Sequence, residues 1–256
     1  MALAPNAYGL CLSSEHCALA IRERINAPLF DDMPNVCSCG AALRGDASEY
    51  GHVHWCPTAK PPATTRRHNR VAMTLHSLAE DAGVTSTLEL PKPTWSAILM
   101  RHKKLRPDLH LTGATAEYIV DVTVVHPTSP GRVRAGYLPR DASDKTLHAV
   151  EKAAYGKTWK YRPMMDELRS RPATEHVQFI PFACDVYGGL GEDARRLIDW
   201  LVKEGEMHDR FRDGTARRQF RAKAYARLSV AIQSAAAICA VDSARRIRCG
   251  VSARAV

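Results

Sequence analysis

The chain contains no uninterrupted run of about 18 apolar residues, so no segment reads as a membrane span. Its opening segment, Met1 to Leu12, is apolar but lacks a basic leading region and a clean cleavage site, which argues against a signal peptide. There is no internal repeat and no extended low-complexity tract. Nor are the cysteines evenly spread. Of the 8, three crowd with histidines into one short window, which favours a metal over a disulfide framework and implies a reducing compartment.

What is present fits an ordinary folded protein. At 256 residues, with 45% hydrophobic and 25% charged side chains, the chain can bury one good core and carry a small satellite unit. The formal charge is +9 and the pI about 9.3. That excess favours a polyanionic partner, although a merely soluble basic protein has the same balance. Much of it lies toward the C-terminus, in Arg210, Arg212, Arg217, Arg218, Arg221, Lys223, Arg227, Arg245, Arg246 and Arg248. A basic helical tail suits phosphate contacts, and it equally suits solvation.

Hydrophobic periodicity predicts a helix over Cys17 to Asn26, then a Cys-, His- and Gly-rich unit over 34–62 closed by Pro57, Pro61 and Pro62 as a linker. A strong helix follows over Thr65 to Ala82, with Val71, Leu75, Leu78 and Ala82 on one side and Gly83 as its stop. Thr85 to Leu90 reads as β, and Trp95 to His102 as a short helix or a strand. Asp108 to Leu111, a turn at Thr112–Gly113–Ala114, and the β-branched run Tyr118 to His126 read as a hairpin. Pro127, Pro130 and Gly131 open a loop. A helix capped by Ser143 and Asp144 runs to Arg162, Val177 to Val186 is a buried strand, and helices follow over Asp193 to Lys203 and Thr215 to Cys239. The implied fold is α/β, a mixed central sheet flanked by helices, with a small N-terminal metal unit and a C-terminal helical tail. Its segments are 1–33 (helical), 34–62 (metal unit), 63–210 (core) and 211–256 (basic helix and tail).

Cys37, Cys39, His52 and Cys56 form C-x-C, a gap of twelve residues, then H-x-x-x-C. Three thiolates and one imidazole suit tetrahedral Zn²⁺ in a closed, structural site. A unit this small has no core of its own. Metal binding, about 10–16 kcal/mol in zinc-finger peptides, would supply its folding energy. His54 competes with His52 for the fourth position. His52 is preferred because its four-residue step allows a helical return to the ion, while His54 lies close to Cys56.

A second constellation is acidic. Asp108, after Arg106 and Pro107, opens the hairpin, and Asp121 lies in its second strand. Mg²⁺ takes one or two carboxylates, and a hairpin can bring both to the same end of adjacent strands. A carboxylate buried in an apolar run needs a cation or hydrogen-bonded partner, so a structural salt bridge to Arg106 or Lys157 is the other reading. Two-carboxylate nucleases commonly place a lysine two residues after the second acid, where this chain has Thr123. Lys157 can replace it, with Lys160 and Lys152 as alternatives. Lys157 and Tyr161 share one helical face. Lys157 would orient water or stabilise the phosphorane, and Tyr161 would hold a phosphate oxygen.

Taken in order, the Cys/His quartet, Arg67-His68-Asn69, Arg106-Pro107-Asp108, the Asp121-to-His126 strand, Lys157-x-x-x-Tyr161 and the Phe182-to-Gly189 strand–turn resemble one known domain. It is the restriction-like (PD-(D/E)XK) endonuclease domain at the C-terminal end of site-specific non-LTR retrotransposon reverse transcriptases, with its CCHC zinc knuckle. The resemblance spans roughly Ala20 to Val241. It implies Asp108 and Asp121 as ligands of a catalytic Mg²⁺ (or Mn²⁺), and Lys157 and Tyr161 as catalytic partners. It implies the knuckle as a nucleic-acid-handling unit and Arg67, His68, Arg106 and Lys160 as nucleic-acid contacts. His68 has a plainer reading, capping or packing its helix, and Glu89 is a less favoured extra acid. The implied activity is nicking of target DNA for target-primed reverse transcription. DNA is the expected partner and RNA a second one, with a nuclear location. The polymerase that normally precedes the domain is missing, and Phe30-Asp31-Asp32 reads as a loop. The expectation is therefore a fragment, a domesticated copy or a decayed element. A catalytically inactive nucleic-acid-binding module and an inert remnant are the competing readings.

Overall fold

The computed structural model describes residues 11–25, 27–31, 33–37, 39–43, 52–56, 61–88, 102, 105–127, 148–211 and 213–249. Among these, the helices are α1 (Ser14–Arg24), α2 (His52–Trp55), α3 (Pro61–Asp81), α4 (His148–Arg169), α5 (Glu192–Met207) and α6 (Gly214–Arg248). The strands are β1 (Thr85–Leu88), β2 (Leu109–Thr112), β3 (Glu117–Val125) and β4 (Val177–Asp185). They form one mixed sheet in the order β1-β2-β3-β4, antiparallel except for the parallel β3–β4 pair. Helices cover both faces, and α6 is the last of the described elements.

Strand alternation explains the layering. Val120 and Val122 of β3, with Ile180, Phe182 and Cys184 of β4, face α3, α5 and the first half of α6 in the main core. The intervening Ile119 and Val177 face α4, against Tyr161, Met164, Met165 and Leu168. Asp121 belongs to the α4-facing set. The stripe predicted on α3, Val71, Leu75, Leu78 and Ala82, is fully buried, and Gly83 ends the helix at φ 79°.

Helix α5 pins the hairpin. Glu204 accepts hydrogen bonds from the backbone N–H groups of Ala114 (2.6 Å) and Thr115 (2.9 Å) and from the Thr115 hydroxyl. Trp200 Nε1 donates to Thr115 Oγ1 at 3.0 Å. Anchoring the tip fixes the register Leu109↔Val120, and a one-residue slip would turn every side chain to the other face.

Several boundaries differ from the sequence reading. Helix α3 begins at Pro61, so Pro61 and Pro62 open it instead of marking a linker; the first turn needs no backbone donor, which suits proline. Helix α4 continues through Pro163 to Arg169. One ladder hydrogen bond is lost there, but Met164, Met165 and Leu168 beyond it are buried. Helix α6 runs on to Arg248, and α5 to Met207. By length and composition α6 could cross a membrane, yet 67% of its most apolar window is buried inside the protein, as in a core helix. The caps Ser143 and Asp144, Glu89, the segment 95–101, Pro57 and the loop at Pro130 and Gly131 lie outside the described residues.

Helix α1, α2 and the described stretches between them pack on the second half of α6. Leu19, Leu29, Cys37, Val53 and Cys56 meet Ala237, Ala240, Ala244 and Ile247 in a cluster of their own. The C-terminal charge excess is partly neutralised in place. Arg217 pairs with Glu206 (2.8 Å), Arg221 with Asp199 (2.8 Å) and Arg227 with Asp81 (2.7 Å).

Candidate functional site

At the open end of the β2–β3 hairpin, Asp108 stands one step beyond the Leu109↔Val120 pair, across from Asp121. Its backbone N–H donates to Val120 O at 2.9 Å, and its Oδ2 accepts from the Val122 N–H at 2.6 Å. Asp121 is 3% exposed. Helix α4 crosses this face and delivers two partners one turn apart. The Tyr161 hydroxyl donates to Asp121 Oδ1 at 2.5 Å, and Lys157 Nζ lies 2.5 Å from Oδ2. The lysine contact has ion-pair distance without hydrogen-bond alignment, so Oδ2 remains a buried oxygen without a hydrogen bond. From the opposite side α3 supplies His68, with Nε2 2.9 Å from Asp108 Oδ2 and Nδ1 3.2 Å from Asn69 Oδ1.

Electrostatics follow from this geometry. The hydrogen bond to Asp108 raises the His68 pKa against the opposing effect of burial, and a charged ring donates from both nitrogens. Burial, then the neighbouring Asp121 charge, pushes Tyr161 far above the usual phenol range, so it stays a donor. Tyr161 is completely buried and spends its hydroxyl on Asp121, where the sequence reading had it holding a phosphate. Lys157 is 27% exposed along its side chain, so its charge reaches the solvent edge of the group.

The expected nucleic-acid contacts divide. Arg106 and Lys160 are exposed, and Lys160 Nζ lies 5.3 Å from the Tyr161 ring centroid. Arg67 is only 6% exposed, with Nε and Nη1 unpaired in the interior, and burial lowers its pKa. It does not present itself to a surface ligand. His68 reaches Asp108, a contact the Arg-His-Asn motif gave no means of anticipating.

The Cys/His quartet converges. The ligand atoms of Cys37, Cys39, His52 and Cys56 all lie within 4.8 Å of one another, with Cys37 Sγ 3.5 Å from Cys56 Sγ and Cys39 Sγ 3.3 Å from His52 Nε2. A tight turn, Gly40 N–H to Cys37 O at 2.8 Å with Gly40 at φ 87°, presents the first two thiols, and α2 presents the others. Burial and the adjoining thiols hold the Cys37 pKa up at about 11, and burial lowers that of His52. Such crowded soft donors can hold a metal such as zinc, which stabilises thiolates.

His54, the rival ligand, turns away. It meets Glu23 of α1 and His126, the residue after β3, with Nε2 2.8 Å and 3.0 Å respectively from Glu23 Oε1. Burial drives the His126 pKa down to about 4. Burial would raise that of Glu23, but His54 and His126 hold it well below the carboxylate range. This triad was missed from sequence because its members are spread over a hundred residues with no motif spacing. No protein-family model and no curated protein matches the chain.

Proposed function

We propose that this protein is a metal-dependent DNA endonuclease, nicking target DNA for target-primed reverse transcription. The observation that carries the reading is the meeting of Asp108, Asp121 and Lys157, distant in sequence, at one end of one sheet. The mixed sheet with helices on both faces supports a restriction-endonuclease-like assignment. The donor set fits a hard cation. Two carboxylates lie on adjacent strands, and the buried Asp121 Oδ2 lacks a hydrogen bond. Bound there, Mg²⁺ (or Mn²⁺) would supply Lewis-acid activation of water and neutralise charge on phosphorus.

The chain's own residues would do the rest. Tyr161 and the Val122 N–H fix the two carboxylates, and His68 orients Asp108. Lys157 places a positive charge at the solvent edge, where a scissile phosphate oxygen or the attacking water would sit. Arg106 and Lys160 would steer the DNA backbone, with RNA as a second polyanion. The Cys37–Cys39–His52–Cys56 unit would be a zinc knuckle of structural role beside the nucleic acid. The resemblance implies a nuclear location.

Plasmid nicking with Mg²⁺, and with EDTA in its place, tests this. Cleavage should require the metal and fall on the order of a thousandfold in Asp108→Ala and in Asp121→Ala, since metal electrostatics are worth several kcal/mol. Undiminished cutting by either variant ends the assignment. One observation favours a non-catalytic nucleic-acid-binding module instead: both carboxylates already have protein partners. That reading requires salt-sensitive DNA binding that persists in the double aspartate variant, with no cleavage by the parent at any metal concentration.

A further inference from the structure

Glu23 on α1, His54 on α2 and His126 just after β3 have no role in the proposed nuclease chemistry. Their ligand atoms nonetheless all fall within 4.8 Å of one another. The side chains are 12%, 1% and 5% exposed. Both ring nitrogens of His54 are buried without a hydrogen bond. Its Nε2 is 2.8 Å from Glu23 Oε1, an ion-pair distance without the alignment of a hydrogen bond. The His54 and His126 rings stand 4.9 Å apart, tilted by 34°, both directing Nε2 at the same carboxylate oxygen. Interior imidazoles are ordinarily hydrogen-bonded, and a buried ring lacking any such bond needs another partner.

We propose that Glu23, His54 and His126 form a second metal site, specific for a borderline divalent ion of the Zn²⁺ class. Two imidazoles and one carboxylate are a donor set that zinc accepts and that Mg²⁺, which wants oxygen ligands, does not favour. Three protein ligands leave one position open. A cavity of about 10 Å³, room for roughly one water, adjoins Glu23 and His54 among Leu19, Leu29, Val186 and Tyr187. The buried Arg67 guanidinium acts on Glu23 and His126 through space and opposes a dication, while the Glu23 charge offsets it. The ion joins α1 and α2 to the end of β3. Because α2 carries both His52 and His54, one short helix ties the thiolate cluster to this site and so to the sheet. The inference does not depend on nuclease activity.

The test is metal content of the full chain by mass spectrometry after loading with Zn²⁺ or Co²⁺ and exhaustive dialysis. The parent should retain two ions per chain, one for each cluster. With Co²⁺, only the quartet gives a thiolate-to-cobalt charge-transfer band, which reports a folded knuckle. His126→Ala, and separately Glu23→Gln, should lose one ion and keep that band. Cys37→Ser should lose the band. Retention of a single ion by the parent, with its cobalt spectrum wholly of thiolate type, overturns the proposal without reference to any variant. Survival of the second ion in both His126→Ala and Glu23→Gln overturns it as well.

Discussion

Asp121 lies on a strand whose neighbouring positions, Ile119, Val120 and Val122, are fully buried, so only a few groups can partner its carboxylate. Tyr161 is the cleanest to test, because its ring stays stacked on Phe179 at 4.5 Å when the hydroxyl is removed. Tyr161→Phe leaves Asp121 Oδ1 without its donor and should destabilise the fold by about 1–3 kcal/mol, read as a lower urea midpoint. An unchanged midpoint would mean that Oδ1 is satisfied elsewhere. At this scale the sequence was informative where a residue contradicted its surroundings. An aspartate in a β-branched run, and a lysine four residues before a tyrosine on a helix, were visible as anomalies. Burial of Arg67 was not, since an arginine in a basic chain reads as surface. Nor was the His68–Asp108 contact, which joins residues 40 apart through packing of α3 against the hairpin.

Element types were legible because their periodicities were strong, from the stripe of α3 to the near-continuous apolar run of β3. Element ends were not, because tertiary burial extends helices past the points where local signals stop them. Pro163 is the clearest instance, outweighed by Met164, Met165 and Leu168. The hairpin tip is another place where distant contacts decide. A Cβ at Gly113 would lie 2.6 Å from both the Glu204 carboxyl carbon and Trp200 Cζ2. Gly113→Ala should therefore cost about 1–3 kcal/mol. Gly156→Ala, on α4 with nothing within 4 Å, should instead stabilise by about 1 kcal/mol through helix propensity. Paired thermal melts check both signs. Glu204 adds a pH dependence. Burial works to raise its pKa, but hydrogen bonds from Thr115 and Ala114 lower it below the ordinary 4.5. A carboxyl with a depressed folded-state pKa contributes stability that is fully present above 4.5 and lost as pH falls through the folded value. The stability gap between the parent and Glu204→Gln should hold at neutral pH and close on acidification, measured by urea unfolding at each pH.

For the molecule as a whole, α6 is shared by two apolar clusters. Phe220, Ala224, Leu228 and Ile232 belong to the sheet core, while Ala237, Ala240, Ala244 and Ile247 lie under the metal unit and α1. In the second cluster the α6 side is mostly small alanines, and Cys37 and Cys56 of the Cys/His quartet are themselves part of the packing, so a metal held by the quartet would cross-link the cluster from within. Local stability follows local burial, and a metal-organised unit releases its binding energy when the ion is stripped. Treatment with a strong zinc chelator should therefore abolish hydrogen-exchange protection in α1, α2 and the last third of α6. β2, β3, β4 and α3 should retain theirs. The boundary should fall inside one continuous helix, between Ile232 and Ala237, as read by exchange mass spectrometry. Uniform loss across the chain would show that the Cys/His unit and the sheet form a single cooperative body. Uniform retention would show that α1 and α2 hold to α6 without a metal, against the spacing of four soft donors within 4.8 Å.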